Sequence, residues 1–188
     1  TICIDLDSTI INTSKSTINL HNKLYPHNKI IYIENHDWNF YPMIKTKEQL
    51  KELFELFDNK DFYGETLEVF PHAIEYINKL SKYNVVKIVT KHCESRKPIT
   101  EEWIDKTFPN VELIFVDNFK DKGNIKCDII IDDKIESLNS FKDNNTVKLL
   151  YGNYDWNKND NESCRVVDWA YIENFIECFN EIQEEENE

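Results

Sequence analysis

The sequence predicts an α/β protein whose core is a doubly wound, mostly parallel sheet, with a small helical cap inserted after the first strand. Short apolar runs alternate with segments of helical periodicity from Pro71 onward, a pattern typical of parallel strands covered by helices on both faces. The first apolar run lies about 80 residues before the second. Because a single crossover helix needs far fewer residues, the interval must contain an additional unit.

Five apolar runs predict the strands of this sheet. The first covers residues 1–5 and ends in the motif DLDST; like the others, it is short and rich in β-branched residues. The remaining four strands are predicted at residues 85–90, 111–116, 128–133 and 146–152. Helical spacing, with Thr46 as an N-cap and Pro71 in a first turn, predicts the helices. These cover about residues 10–25, 46–57, 72–83, 99–108 and 135–141, and the last begins at about residue 170.

The long interval between the first two strands predicts a two-part organisation. We expect residues 12–68 to form a mainly helical cap, and residues 1–11 together with 69–188 to form the α/β core. With 188 residues, the chain has the size of one ordinary domain that carries such an insertion.

The composition disfavours several classes of function. The formal net charge is −13, which opposes binding to nucleic acid and to anionic membranes. The chain has 3 glycines and no glycine-rich phosphate loop. Its 5 cysteines are scattered without a CxxC pair, as expected for reduced thiols in a cytoplasmic protein. No apolar run reaches the length of a membrane span, and we expect no signal peptide.

Chemically capable side chains cluster at the carboxyl ends of the predicted strands or in the loops beside them. These residues are Asp5, Asp7, Thr90, Lys122, Asp132 and Asp133. In an open parallel sheet, the carboxyl ends of neighbouring strands meet at one crevice at the topological switch point. We therefore expect the acids, the hydroxyl and the amine to share one site.

The acids predict a metal site. Asp5 and Asp7 are separated by one residue, which places both side chains on the same side of an extended chain. With Asp132 and Asp133 they bring up to four negative charges together, and two unit charges about 4 Å apart repel by roughly 4 kcal/mol at an effective dielectric of about 20. Carboxylates without histidine or cysteine nearby favour Mg²⁺. The ordinary alternative is that these acids form turns and helix caps.

Two further side chains fit the binding of a phosphoryl group beside such a metal. Thr90 and Lys122 supply a hydroxyl and an ammonium donor for phosphate oxygens, and the lysine also offsets the charge of the acids. Each residue also has a purely structural interpretation. Thr90 could form an ordinary hydrogen bond at the end of a strand, and Lys122 could be a solvated lysine in a loop.

The order of these residues resembles that of the haloacid dehalogenase superfamily of phosphohydrolases. DLDST comes first, then a threonine that ends a strand, then a lysine and then an acidic pair. Response-regulator receiver domains use similar residues, but there the acidic pair comes early and the phosphorylated aspartate stands alone on a later strand. The late IDD of this chain does not fit that order.

Within the superfamily, the chain is similar to the 5′(3′)-deoxyribonucleotidases, which also carry a small helical cap between the first two motifs. The similar segments are DFYGETLEVFPHAIEYINKL, RKPITEEWIDKTFP and DKGNIKCDIIIDD, and the resemblance covers nearly the whole chain. This chain departs from the family pattern in two places. Ser8 replaces a frequent glycine, and Lys91 and His92 follow the threonine in place of a frequent Ser-Pro.

The resemblance implies a role for each site residue. Asp5 would attack phosphorus and become an aspartyl phosphate, while Asp7 would protonate the leaving oxygen and then activate water. Thr90 and Lys122 would hold the phosphate, and Lys91 would compensate for the second hydroxyl that the departure from Ser-Pro removes.

Metal ligands and substrate contacts are also implied by the resemblance. The expected Mg²⁺ ligands are Asp5, Asp7 through its backbone carbonyl, Asp132 and Asp133. In the cap, Trp38 and Phe40 lie in the region from which this family supplies aromatics that stack on a base. The alternative for both is ordinary packing in the core of the cap.

The predicted function is Mg²⁺-dependent hydrolysis of a phosphomonoester, with a (deoxy)nucleoside monophosphate as the expected substrate. One alternative is a phosphatase for another small phosphorylated substrate or for a polynucleotide 3′-phosphate. A second alternative is a catalytically silent module that binds metal or phosphate. The sequence leaves the base preference, the sugar preference and the oligomeric state open, with a homodimer as one option.

Overall fold

In the part of the chain that the structure describes, six parallel strands form the central sheet. The computed structural model describes residues 1–34, 36–161 and 163–186. The strands are β1 (Ile2–Ile4), β2 (Val86–Thr90), β3 (Glu112–Phe115), β4 (Ile129–Asp132), β5 (Val147–Tyr151) and β6 (Cys164–Val166). They lie in the order β3-β2-β1-β4-β5-β6, and every neighbouring pair is parallel. This order is that of a doubly wound sheet with its switch point between β1 and β4, and it confirms the predicted fold class.

Within the described residues, six α-helices accompany the sheet. They are α1 (Thr13–Leu24), α2 (Lys47–Phe54), α3 (Ala73–Leu80), α4 (Lys97–Thr107), α5 (Ile135–Leu138) and α6 (Trp169–Glu186), and a 3-10 helix covers Phe119–Asn124. The predicted helices and the first five strands lie within a few residues of their expected bounds. β6 is the strand that the sequence does not predict. It has three residues, of which Val166 alone is buried, so no apolar run marks it.

None of the helices in these ranges is both long and apolar enough to cross a membrane.

Two apolar clusters pack against the sheet, and side chains that alternate along each strand contribute to one or the other. Ile4 and Ile88 belong to the larger cluster, which also contains Trp169 of α6. Cys3 and Val89, each one residue away, belong to the second cluster. A strand that is buried on both faces is apolar at every position, which is why β1 is an unbroken apolar run.

The segment between β1 and α3 has a hydrophobic cluster of its own. Ile18, Ile30, Met43 and Leu53 are buried together there. The helices α1 and α2 are further joined by His21 and Glu52, whose Nε2 and Oε2 atoms lie 2.9 Å apart. A separate small core of this kind is what an inserted cap needs to be stable.

The two ends of this segment lie side by side. Ile11 and Val69 form an isolated antiparallel bridge, and the backbone N–H of Asn12 donates to the carbonyl of Glu68 at 2.8 Å. We propose that the cap begins and ends at this point, with residues 12–68 as the cap and residues 1–11 and 69–188 as the core.

Candidate active site

Asp5 lies at the topological switch point of the sheet. It follows β1 directly, and its backbone N–H donates to the carbonyl of Ile131 in β4 at 2.9 Å. A cavity of about 180 Å³ opens at this position. The sequence-predicted residues that line it are Asp5, Asp7, Trp38, Phe40, Lys91, Lys122, Asp132 and Asp133. The fold therefore brings together every predicted site residue except Thr90.

Lys122 links two of the acids. Its side chain is 1% exposed, and its Nζ lies 2.6 Å from both Asp5 Oδ1 and Asp132 Oδ2. The other oxygen of Asp132 accepts a hydrogen bond from the backbone N–H of Lys134 at 2.8 Å. Burial opposes the charge of Lys122, but the two carboxylates outweigh this effect and raise its pKa. Lys122 is therefore a buried cation rather than a solvated loop lysine.

Three carboxylates form a compact acidic group. One oxygen each from Asp5, Asp132 and Asp133 lies within 4.8 Å of the others. Burial raises the pKa of Asp5 to about 7, with Lys122 opposing and Asp132 adding to the effect. Burial, followed by the charges of Asp5 and Asp132, raises the pKa of Asp133 well above its usual value. One lysine does not balance this group, and its hard oxygen ligands fit a divalent cation such as Mg²⁺.

Asp7 has a different environment. Its Oδ1 accepts hydrogen bonds from Thr13 Oγ1 at 2.7 Å and from Arg96 Nη2 at 2.9 Å. Its Oδ2 lies 2.9 Å from His92 Nε2 and 3.3 Å from Arg96 Nη1. Burial opposes ionisation of Asp7, but Arg96 and His92 outweigh it and hold the pKa of this carboxyl well below its usual range. The side chain of Asp7 is therefore ionised and stands apart from the acidic group.

Two of these partners are not identified by the sequence. Its sequence position makes His92 equally compatible with an exposed loop residue, but the side chain is buried and its Nδ1 lies 2.9 Å from Thr100 Oγ1. The sequence offers one indication that Arg96 belongs to the site, which is its position in the chain. Arg96 occupies the N-cap position of α4, the helix that follows β2, and therefore lies at the edge of the sheet where the site is.

Thr90 and Lys91 occupy different surroundings although they are adjacent in sequence. Thr90 ends β2 as predicted, but it is buried and is not among the described residues that line the cavity. Lys91 is exposed and lines the cavity. Its Nζ lies 5.0 Å from the ring centre of Phe119, which also lines the cavity.

Ser8 explains one departure from the family pattern. Its backbone has a φ of 61°, in the left-handed region that glycine adopts most easily. The N–H of Ser8 donates to the carbonyl of Ile11 at 2.8 Å, and its own carbonyl accepts a hydrogen bond from the Tyr154 hydroxyl at 2.8 Å. These contacts hold the turn after DLD in place without a glycine.

Aromatic side chains of the inserted segment and the core meet at the cavity. Trp38 is 41% exposed, and its ring meets that of Trp156 edge-on with centroids 5.3 Å apart. Lys134 Nζ lies 4.4 Å from the ring centre of Trp38. Phe40 packs against the cluster of the inserted segment and meets Phe57 edge-on. Phe40 thus packs in the cluster of the inserted segment as well as lining the cavity, whereas Trp38 lines the cavity with a partly exposed ring that Lys134 and Trp156 contact.

Nearly the whole chain matches one known protein family. Residues 1–181 match the family described as 5′ nucleotidase, deoxy (pyrimidine), cytosolic type C protein, abbreviated NT5C. The chain belongs to this family. The membership confirms the predicted class, a phosphoric monoester hydrolase of the haloacid dehalogenase superfamily.

Two relatives of this NT5C chain are both named 5′(3′)-deoxyribonucleotidase; one is similar over most of the chain and the other over about half of it. It is 28% identical over 176 residues to the 5′(3′)-deoxyribonucleotidase of Clostridium acetobutylicum, which covers 90% of both chains. It is 36% identical over 99 residues to the 5′(3′)-deoxyribonucleotidase of Bacillus subtilis, which covers 53% of this chain and 54% of that one.

Solved structures share the fold of this NT5C protein at low sequence identity. A haloacid dehalogenase superfamily hydrolase from Ehrlichia chaffeensis has a TM-score of 0.55 and 17% identity, over 94% of this chain and 95% of that one. A hydrolase of the same superfamily from Bacillus subtilis, bound to magnesium, has a TM-score of 0.53 and 15% identity, over 88% and 92%. Both agree with the doubly wound sheet described above.

Proposed function

We propose that this protein hydrolyses (deoxy)nucleoside monophosphates through an aspartyl phosphate on Asp5, with Mg²⁺ bound at the acidic group. The observation that carries the proposal is the environment of Asp5. Its carboxyl lies at the switch point of the sheet, 2.6 Å from the ammonium of Lys122, and it lines a cavity together with Asp132 and Asp133. A carboxylate nucleophile needs this combination of access, orientation and nearby positive charge.

The chemistry takes place in two steps. To act as the acid, Asp7 must first take up a proton in the substrate complex and give up a contact with Arg96 or His92. An oxygen of Asp5 then attacks phosphorus, the bond between phosphorus and the leaving oxygen breaks, and Asp7 gives that oxygen its proton. Water then attacks the phosphorus of the aspartyl phosphate, Asp7 takes a proton from this water, and the bond between phosphorus and Asp5 breaks. Inorganic phosphate leaves, and both carboxyls return to their starting states.

The acidic group is the proposed metal site. Asp5, Asp132 and Asp133 supply the carboxylate ligands, and the backbone carbonyl of Asp7 is the proposed further ligand. When bound, Mg²⁺ neutralises the negative charge that develops on the phosphoryl oxygens. We assign phosphate binding to Lys122 and Lys91, which line the cavity, and to Thr90 at the end of the adjacent strand.

A small nucleotide is the substrate best supported. The relatives named above are 5′(3′)-deoxyribonucleotidases, and Trp38 and Phe40 line the cavity with aromatic surface suited to a base. The cavity of about 180 Å³ suits a small molecule, and a net charge of −13 disfavours a polynucleotide.

Phosphate release from a substrate panel tests the proposal. The panel contains 5′- and 3′-deoxynucleoside monophosphates, ribonucleotides, sugar phosphates and a 3′-phosphorylated oligonucleotide, each with and without Mg²⁺. We expect the highest kcat/KM on a nucleoside monophosphate, with activity that requires the metal. Asp5→Asn should abolish release from every substrate, and beryllofluoride should bind wild type but not this variant.

Three results would reject the proposal or part of it. Undiminished activity of Asp5→Asn would exclude the aspartyl phosphate. A preference for a sugar phosphate or for the oligonucleotide would support the phosphatase activity but reject the nucleoside monophosphate as the substrate. Absence of turnover together with retained binding of metal and phosphate would identify a silent binding module.

A further inference from the structure

The ammonium of Lys134 lies between an aromatic ring of the inserted segment and one of the core. Its Nζ is 4.4 Å from the ring centre of Trp38 and 3.8 Å from that of Phe119. Among the residues that the structure describes, this side chain has no carboxylate partner. The two rings are therefore the partners of its charge, and each attracts the ammonium through the negative face of its π-system.

The other parts of this contact are fixed in the core. The backbone N–H of Lys134 donates to Asp132 Oδ1 at 2.8 Å, and Lys134 occupies the N-cap position of α5. Phe119 opens the 3-10 helix that carries Lys122. Both residues thus belong to the elements that build the active site, and they present the ammonium to the inserted segment from a defined position.

Trp38 has few other contacts that define the direction of its ring. The side chain is 41% exposed, and the described residues between α1 and α2 form no helix or strand. In the same part of the chain its indole N–H has no hydrogen-bond acceptor. Its aromatic contact is the T-shaped one with Trp156, with centroids 5.3 Å apart. The orientation of Trp38 therefore depends strongly on Lys134.

We propose that Lys134 is a positioning residue for Trp38. Its ammonium, supported by Phe119, holds the indole at the cavity, and a base stacks on the part of the ring that Lys134 leaves exposed. The inference rests on the function proposed above, in which Trp38 contacts the base of a nucleotide. It assigns Lys134 to recognition of the base, although this lysine lines the same cavity as the phosphate-binding groups.

A substrate without a base distinguishes this role from direct attraction of the phosphate. We compare KM for a deoxynucleoside monophosphate with the inhibition constant of 2-deoxyribose 5-phosphate, measured against p-nitrophenyl phosphate. Lys134→Met removes the charge and keeps a long side chain. Because a cation–π contact is worth about 0.5–2 kcal/mol, or roughly 2–30-fold, we expect it to weaken the nucleotide about 3–10-fold more than the sugar phosphate.

Rescue and coupling make the experiment specific. Lys134→Arg keeps a cation that stacks on aromatic faces, so the ratio of the two constants should stay within about 2-fold of wild type. Phe119→Leu removes the supporting ring and should reproduce part of the effect of Lys134→Met. In a Trp38→Ala background, Lys134→Met should change the ratio by less than about 2-fold, because it acts through that ring.

Lys91→Met is the matched control. The Nζ of Lys91 also lies near Phe119, at 5.0 Å, and the residue lines the same cavity. Within the described residues, however, its ammonium contacts no ring of the inserted segment. Since Lys91 is assigned to the phosphate, its replacement should weaken the nucleotide and the sugar phosphate by the same factor and leave their ratio unchanged.

The outcomes separate this inference from the proposed function. Neither KM nor an inhibition constant depends on the fraction of protein that is folded, so partial unfolding of a variant does not obscure the ratio. Equal losses for the two ligands would show that Lys134 acts on the phosphate. A lower KM for the nucleotide in Lys134→Met would show that the ammonium competes with the base for the ring. Either result, or full additivity with Trp38→Ala, would overturn the positioning role and keep the nucleotidase, whereas failure of wild type to hydrolyse any nucleoside monophosphate would overturn both.

Discussion

The indole nitrogen of Trp156 lies 2.8 Å from Oδ2 of Asp133. The same ring stacks on Tyr154, with centroids 4.4 Å apart. It also forms a T-shaped contact with Trp38 of the inserted segment, with centroids 5.3 Å apart. One core side chain thus contacts both a proposed metal ligand and the aromatic surface of the cap. This arrangement orients Asp133 and connects the proposed metal site with Trp38.

Trp156→Phe is expected to weaken Mg²⁺ binding about 10-fold, because loss of a hydrogen bond to a metal ligand costs roughly 10–100-fold in affinity. Activity at saturating Mg²⁺ should fall by a much smaller factor than the affinity for Mg²⁺. The measurement is phosphate release as a function of Mg²⁺ concentration. Trp38→Phe is the control, since it changes an indole at the same cavity without removing a bond to Asp133. An unchanged Mg²⁺ requirement in Trp156→Phe would contradict this role.

Lys122→Met is expected to destabilise the metal-free protein by about 3–5 kcal/mol, because it leaves the buried carboxyls of Asp5 and Asp132 without their cation. Mg²⁺ should recover part of this loss by supplying positive charge to the same group. Chemical denaturation with and without Mg²⁺ measures both effects. Lys120→Met, an exposed lysine in the same 3-10 helix, should change stability by less than about 0.5 kcal/mol. Equal effects of the two substitutions would contradict the buried-cation interpretation.

Gly123→Ala tests the packing that places Lys122. A Cβ at Gly123 would lie 2.2 Å from the carbonyl oxygen of Ser140, so the 3-10 helix would have to move. We expect a loss of about 1–3 kcal/mol in unfolding free energy, accompanied by reduced phosphatase activity. At Gly64 a Cβ would lie 3.0 Å from the nearest backbone oxygen, and Gly64→Ala should have a clearly smaller effect on both. If Gly123→Ala is fully stable and active, the 3-10 helix does not need this glycine.

Stability should depend on pH and Mg²⁺ together. Burial raises the pKa of Asp5 from 3.8 to about 7, so between these values the folded protein binds a proton that the unfolded chain has released. This contribution to stability is complete below about pH 4 and is lost as the pH rises through about 7. Mg²⁺ binds the ionised carboxylates, so its affinity increases over the same interval.

The increase in Tm on adding Mg²⁺ is therefore expected to be larger at about pH 8 than at about pH 5. For a chain of this size, each 1 kcal/mol shifts Tm by roughly 2–4 °C. Thermal unfolding at the two pH values measures the difference. Asp5→Asn removes one of the titrating ligands and should reduce the difference between the Tm increases at the two pH values. An equal increase in wild type at both pH values would show that protons and Mg²⁺ do not compete at this group.

The sequence predicts those parts of the site that follow from strand ends. β1 and β4 are unbroken apolar runs, so Asp5 and Asp132 could be placed at the switch point without knowledge of side-chain contacts. Arg96 could not, because its contact with Asp7 depends on the packing of its side chain against Phe62. Trp156 lies in a stretch without periodicity, which gives no indication of its direction.

Thr90 illustrates a limit of the strand-end rule. The rule places its backbone correctly at the end of β2, but the direction of the side chain depends on the register with β1 and β3, which one sequence does not specify. The phosphate-binding role of Thr90, the cytoplasmic location and the homodimer stay predictions.

Trp38 offers a test of how the cap contacts the substrate. If a base stacks on its exposed ring, Trp38→Ala should raise KM for a deoxynucleoside monophosphate by about 5–150-fold, since stacking on an aromatic side chain is worth roughly 1–3 kcal/mol per base. The KM for 2-deoxyribose 5-phosphate, which has no base, should not change. Tyr41→Ala removes another exposed aromatic of the inserted segment that is not among the described residues lining the cavity, and both KM values should be unaffected. If Trp38→Ala weakens the two substrates equally, the ring shapes the cavity through Trp156 rather than by contact with the base.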